Sequence, residues 1–174
     1  LKDTGRVKDA LPHYERAREL APAEAAMGSN HLLALCSVDG LNPADIAAAH
    51  AAWCGVQATS PPVTRADRRL RVGYVSPDFR RHSVAYFLEP LLEHHDREAV
   101  EVFAYANMPT SGDVVTQRLK GLSDHWRDIF GLEDRTFADQ VRADQIDILL
   151  DLAGHTRGNR LTAFAHRLAP VQMS

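Results

Sequence analysis

The sequence predicts a parallel α/β sheet preceded by an all-α segment. Three observations predict it. From Leu70 onward, short apolar runs rich in β-branched residues alternate with runs whose apolar residues recur at helical spacing. Before Thr59 only helical patterns occur. Between them, Thr59-Ser60-Pro61-Pro62 and the arginines that follow have the composition of a linker. These shifts predict helices over residues 1–58, a linker over 59–69 and the α/β part over 70–174.

In chain order, Gly5 breaks the backbone ahead of a helical run. Ala10, Tyr14 and Ala17 then share one face at i, i+4 and i+7, and Pro22 stops the run. Pro12 inside it removes a hydrogen bond, at about 3 kcal/mol in a helix interior, so a kink or a later start is expected. These positions resemble the second helix of a tetratricopeptide repeat, a two-helix unit of about 34 residues. Ala23 to about Ser37 is the next helical run, broken by Asp39-Gly40. Asn42-Pro43-Ala44-Asp45 reads as a helix start: Asn42 as N-cap, Pro43 in the first position, Asp45 near the positive end of the dipole. The third helix is expected from Pro43 to about Val56, with His50 and Trp53 as packing residues. Such helices bury their faces only against neighbours, so they read as the end of a longer helical array.

The predicted strands are Leu70–Val75, Val100–Ala106, a weaker His125–Ile129, and Ile146–Leu152. The predicted helices between and after them are about Val84–His94, Val114–Leu122, Phe137–Ala143 and Arg160–His166. Alternation of this kind implies a parallel sheet covered on both faces, a doubly wound, Rossmann-like half. Arg65, Arg68, Arg69 and Arg71 read as a solvated, charged linker. His94-His95 reads as an exposed helix end.

Two stretches can carry chemistry. In the first, strand Leu70–Val75 ends at Ser76-Pro77-Asp78, and His82 follows just before a helix. In the second, an apolar strand delivers Asp151, Gly154 allows a sharp turn, and His155, Thr156 and Arg157 lie in the loop. Loops at the carboxyl ends of parallel strands open on one edge, where ligands bind. Two histidines and an aspartate in one crevice suit general acid/base work. His82 as a structural histidine and Asp151 as a cap on turn amides are the plainer readings of the same residues. His82, His155 and Asp151 could also ligate a metal, but no spacing demands one.

Composition bounds the alternatives. The 174 residues, 45% of them hydrophobic, can bury a core, and a net charge of -3 leaves no nucleic-acid footprint. Cys36 and Cys54 form no disulfide framework or common zinc spacing, which fits a reducing, cytoplasmic setting. No apolar run reaches the roughly 18 residues of a membrane span, and no signal peptide is visible. G-x-G-x-x-G after the first strand, Walker A, H-E-x-x-H and G-x-S-x-G are absent from the sequence. The chain starts at Leu1, and Ala-Pro-Val-Gln-Met-Ser at its end reads as a strand just beginning, so both ends are expected to be cuts in a longer protein.

The order of motifs is familiar. A partial repeat and a linker precede Leu-Arg-Val-Gly-Tyr-Val-Ser-Pro-Asp-Phe-Arg-Arg-His, Asp-Leu-Ala-Gly-His-Thr and Ala-Pro-Val-Gln. This order resembles the O-linked N-acetylglucosaminyltransferases, in particular their bacterial repeat-containing and SPINDLY-like members. The resemblance runs essentially end to end, through Val-Ala-Tyr-Phe-Leu-Glu-Pro-Leu, Glu-Val-Phe-Ala-Tyr and Asp-His-Trp-Arg-Asp-Ile. It implies a GT-B-type catalytic unit of two Rossmann-like lobes, of which this chain holds the last repeat helices and most of the amino-terminal lobe. It implies metal-free, inverting transfer of N-acetylglucosamine from UDP-N-acetylglucosamine to serine or threonine hydroxyls of proteins. The UDP-sugar enters as substrate, and no cofactor is implied. His82 matches the histidine of the Asp-Phe-x-x-His motif, as base or acceptor-site residue. Asp151 and His155 join it as catalytic candidates, and Asp78, Gly154 and Thr156 as substrate-binding candidates on the acceptor side. Protein acceptors would lie along the repeat helices, and most contacts to UDP would come from a carboxyl-terminal lobe. Two alternatives accompany this reading: the same fold with another donor such as GDP-fucose, and a repeat scaffold without catalysis.

Overall fold

The computed structural model describes residues 1–54, 67–109 and 111–174. The chain forms two compact units, Leu1–Gln57 and Ala58–Ser174. The expected linker lies mostly outside the described residues, as does the expected end of the third helix at Val56.

In the first unit, a 3-10 turn at Lys2–Thr4 ends on Gly5, whose φ of 79° is the left-handed conformation glycine adopts freely. Helices α1 (Val7–Leu20), α2 (Ala25–Leu35) and α3 (Pro43–Cys54) follow. The expected late start of α1 is not seen: the helix begins at Val7 and runs through Pro12. Pro12 and Lys8 are both exposed, so water can meet the carbonyl that Pro12 leaves without a donor. Ala10 is buried, and Tyr14 and Ala17 are half-buried on the same face. Asn42 caps α3 as expected, its side-chain oxygen accepting the Ala44 amide at 3.0 Å. Trp53 packs onto Gly28: a Cβ added there would stand 2.1 Å from the indole nitrogen, so only glycine admits the close approach. On α2, burial pushes His31 below its ordinary pKa, and Arg18, which donates to its Nδ1 at 3.0 Å, adds to the effect.

The second unit is a five-stranded parallel sheet in the order β3-β2-β1-β4-β5. Its elements are β1 (Leu70–Ser76), α4 (Ser83–His94), β2 (Val100–Ala106), α5 (Val114–Leu122), β3 (His125–Asp128), α6 (Asp134–Ala143), β4 (Ile148–Asp151), α7 (Leu161–Phe164) and β5 (Val171–Met173). Alternation along each strand divides the core between two faces. Val72 and Tyr74 of β1 join Val102 and Ala104 of β2 against Leu88 and Leu92 of α4 and Val115 and Leu119 of α5. Val75, Phe103, Tyr105 and Leu149 point the other way, against Phe137 and Val141 of α6 and Phe164 of α7. The sheet is thus doubly wound, as expected.

Arg65 lies outside the described residues; Arg68, Arg69 and Arg71 are not a solvated linker. Arg68 pairs with Asp147 at 2.7 Å, Arg71 Nε donates to Glu101 at 3.0 Å, and Arg69 lies 3.7 Å from both Glu101 and Asp124. Parallel pairing brings the starts of β1, β2 and β4 to one edge, so carboxylates distant in sequence become partners. Nor is His95 a free helix end: its Nε2 lies 2.8 Å from the Tyr74 hydroxyl, and burial lowers its pKa.

Candidate functional site

Strand order reverses between β1 and β4, which are parallel neighbours paired from Val72–Ile148 to Val75–Asp151. In sheets of this kind ligands bind outside the carboxyl ends of the strands at that reversal. The loops from Ser76 to His82 and from Leu152 to Arg160 both leave the sheet there.

The first loop is held from below and behind. Phe79 is fully buried, its ring 5.5 Å from that of Trp126. The Asp78 amide donates to Ser76 Oγ at 3.0 Å, and the Arg80 amide donates to the Asp78 carbonyl at 2.8 Å. Asp78 is itself buried, its Oδ1 taken by Arg80 Nη2 at 2.7 Å. The Arg81 amide donates to Asp113 at the head of α5 at 2.8 Å. That bond, more than the amides of α5, holds the Asp113 carboxyl below the usual aspartate range. The loop ends at His82, the N-cap of α4, with extended backbone. Its Nδ1 accepts the Val84 amide at 3.4 Å and lies 3.8 Å from Asp78 Oδ2, while 38% of its side chain is exposed.

The second loop is built around Asp151. Its Oδ1 accepts the Ala153 amide at 3.2 Å, and its Oδ2 accepts the Gly154 amide at 2.6 Å and the Ser174 hydroxyl at 2.8 Å. Burial raises the Asp151 pKa, against the pull of those three donors. Gly154 takes a φ of 53° and Gly158 one of 84°, both left-handed. Thr156 closes the turn, its amide and hydroxyl both donating to the Ala153 carbonyl, at 3.1 and 2.7 Å. His155 sits half-buried at the apex between Gly154 and Thr156.

The two loops are tied together. The Leu152 amide donates to the Val75 carbonyl at 3.0 Å. Asn107, just past β2, donates from its backbone to the Ser76 carbonyl at 2.9 Å and from its side chain to the Gly158 carbonyl at 2.8 Å. The structure therefore joins His82 with Asp78 in one loop and Asp151 with Gly154 and Thr156 in the other, along one edge. Asp151 faces inward onto its own turn and Ser174. Sequence reasoning missed Asn107, the seam at Gly158 and the bond from Ser174, because only strand pairing brings them to the loops they hold. Among the described residues no three His, Cys, Asp or Glu side chains gather as a metal site requires, and no helix is long and apolar enough to cross a membrane.

With this geometry in hand, comparison with known proteins identifies the family. The model for glycosyl transferase family 41 matches residues 43–174. A rice (Oryza sativa subsp. japonica) protein described as a probable UDP-N-acetylglucosamine–peptide N-acetylglucosaminyltransferase, SPINDLY, is 39% identical over 92% of this chain, which spans 18% of that protein. The UDP-N-acetylglucosamine–peptide N-acetylglucosaminyltransferase of Caenorhabditis elegans is 36% identical over 74% of the chain and 12% of its own length. The structure of an O-GlcNAc transferase mutant from Thermobaculum terrenum superposes with a TM-score of 0.88 at 42% identity, covering 99% of this chain and 34% of that one. The chain thus spans about a fifth or less of the relatives named and a third of the bacterial structure, and it belongs to glycosyl transferase family 41.

Proposed function

We propose that this chain is the acceptor-side part of an inverting transferase that moves N-acetylglucosamine from UDP-N-acetylglucosamine to serine or threonine hydroxyls of proteins. The observation that carries the reading is the pairing of two loops at the strand reversal, one ending in His82 and the other turning through Asp151 to His155. Membership of family 41 supplies the reaction class.

Inverting transfer needs a base on the acceptor hydroxyl, opposite the leaving diphosphate. His82 is that base: a part-exposed imidazole at the end of a hydrogen-bonded loop, a side chain able to take up the hydroxyl proton. His155 orients the acceptor from the facing turn. Asp151 contributes by shaping that turn, since its oxygens are occupied by turn amides and Ser174. Gly154 and Thr156 set the turn's curvature, and Asp78 backs His82. Charge building on the leaving phosphate needs cationic or amide donors, which a second Rossmann-like lobe of a GT-B arrangement supplies. Helices α1–α3 are the last turns of a tetratricopeptide array that holds the acceptor as an extended segment. The setting is cytoplasmic.

The test is sugar transfer by the whole protein. Radiolabelled UDP-N-acetylglucosamine incubated with it and a lysate should label proteins, and calorimetry should rank that donor above GDP-fucose. Binding of GDP-fucose alone, or labelling that is absent with every donor, would overturn the assignment.

A further inference from the structure

This inference rests on the transferase reading and deepens it: it concerns which nitrogen of His82 carries the proton. Nδ1 faces two groups that demand opposite answers. The Val84 amide, donating at 3.4 Å, needs a lone pair on Nδ1 and so puts the proton on Nε2. The Asp78 carboxylate, 3.8 Å away at Oδ2, only accepts; it needs Nδ1–H and leaves the lone pair on Nε2. Only the second tautomer can take a proton at Nε2.

The Val84 amide is the nearer group, but charge favours Asp78. Asp78 is buried, its backbone is pinned by Ser76 Oγ and the Arg80 amide, and its carboxylate is held at Oδ1 by the Arg80 guanidinium. The competing N–H···N contact is long and involves neutral groups, whereas a hydrogen bond to a carboxylate is roughly twice as strong. A small turn of the ring brings Nδ1–H onto Oδ2, as catalytic hydrogen bonds tighten when substrate binds. Nothing among the described residues hydrogen-bonds Nε2. Besides Arg80 on the same loop, the charged groups at this end of α4 are Arg81 and Asp113 at the head of α5, joined through the Arg81 amide.

We propose that Asp78 is a positioning residue that selects the Nδ1–H tautomer of His82, so that Nε2 meets the acceptor hydroxyl as a base. The hydroxyl proton passes to Nε2, and the oxygen forms its bond to the anomeric carbon. The bond from that carbon to the diphosphate breaks, and its electron pair leaves on UDP. The imidazolium rests against Asp78 until Nε2 returns the proton to water.

The test is long-range 15N–1H correlation on protein labelled at histidine nitrogen. Above the pKa of His82, the proton should reside on Nδ1, with Nε2 bare. Asp78→Asn should admit the Nε2–H form, with an unchanged urea midpoint guarding against misfolding. In the whole transferase, Asp78→Asn should lower kcat by about 10- to 100-fold, part of the 10²–10⁴ typical of a general base. KM for the acceptor should hold, and the acid limb of the rate profile should move to lower pH. A proton on Nε2 in the unsubstituted protein overturns the proposal whatever the protein transfers. The expected tautomer with kcat and acid limb unmoved by Asp78→Asn sustains the proton assignment and overturns the base reading instead.

Discussion

Gly158 lies against Pro77: a Cβ built on the glycine would sit 2.9 Å from the Cβ of the proline, with φ already at 84°. This contact is a seam between the loop that ends at His82 and the loop that begins at Asp151. The Asn107 side chain closes it by donating to the Gly158 carbonyl at 2.8 Å.

Gly158→Ala should therefore cost stability twice over. The left-handed backbone costs an L-residue about 1–2 kcal/mol, and the clash with Pro77 adds to it. Urea denaturation should show a lower midpoint with unchanged slope. Gly154→Ala, with a φ of 53° but no atom within 4 Å of the new methyl, should lose only the backbone part.

Asp151→Ala should destabilise the α/β unit by about 1–3 kcal/mol, the cost of leaving buried donors unmet. The donors stranded are the amides of Ala153 and Gly154, while the hydroxyl of the exposed Ser174 can turn to water. Amide hydrogen exchange should rise first at Gly154, where the 2.6 Å bond is lost. Unchanged protection there would contradict the role given to this carboxylate.

Much of this fold was legible in the sequence because it is written in side-chain patterning. Val72, Tyr74 and Val75 declare a strand, and Leu88 and Leu92 declare the buried stripe of α4. The errors fall where patterning is silent. Helix α6 begins at Asp134 rather than Phe137 because its first turn is polar, and its apolar face starts only with Phe137. Strand β4 starts at Ile148 although Ile146 is buried, since burial after α6 does not require pairing. The candidate loops were legible through Pro77, His82, Gly154 and His155, residues that punctuate strands. What holds those loops was not: Asn107 and Gly158, or Arg71 and Glu101, meet only once β1, β2 and β4 stand side by side.

Across the sheet, Tyr105 donates to Asp144 at 2.9 Å, and Arg127 grips the same carboxylate with bonds of 2.8 and 3.1 Å. Tyr105→Phe should cost about 1 kcal/mol, one hydrogen bond. Asp144→Ala should cost more, about 1–3 kcal/mol, because it leaves the buried tyrosine hydroxyl and the guanidinium without their acceptor. The double variant should fall short of the sum, since the two share one interaction. Thermal unfolding of the three variants checks all of this.

Acid should weaken the α/β unit. Burial alone would raise the pKa of Glu101, but His125 and Arg71 outweigh it and hold the carboxyl below its ordinary 4.5. Burial is likewise outweighed at Asp144, by Arg127, Tyr105 and Gln140, which hold it below 3.8. A carboxylate depressed on folding contributes stability above its unfolded pKa and loses it as pH falls through the folded value. Asp151 works the other way: its raised pKa is a penalty at neutral pH that protonation relieves as pH falls toward 3.8. Urea midpoints from pH 7 to 2 should therefore fall below about pH 4.5. The fall should be shallower in Glu101→Gln and steeper in Asp151→Asn.

In the proposed reaction the loop after β1 presents His82 to an acceptor hydroxyl. The most direct measurement is the initial rate of sugar transfer by the whole protein carrying His82→Ala, with its urea midpoint taken alongside. The rate should drop by about 10²–10⁴, the usual contribution of a general base, while the midpoint moves little, because the cap at Val84 is a long 3.4 Å contact. Transfer at a rate near that of the unsubstituted protein, with the fold intact, would contradict the account.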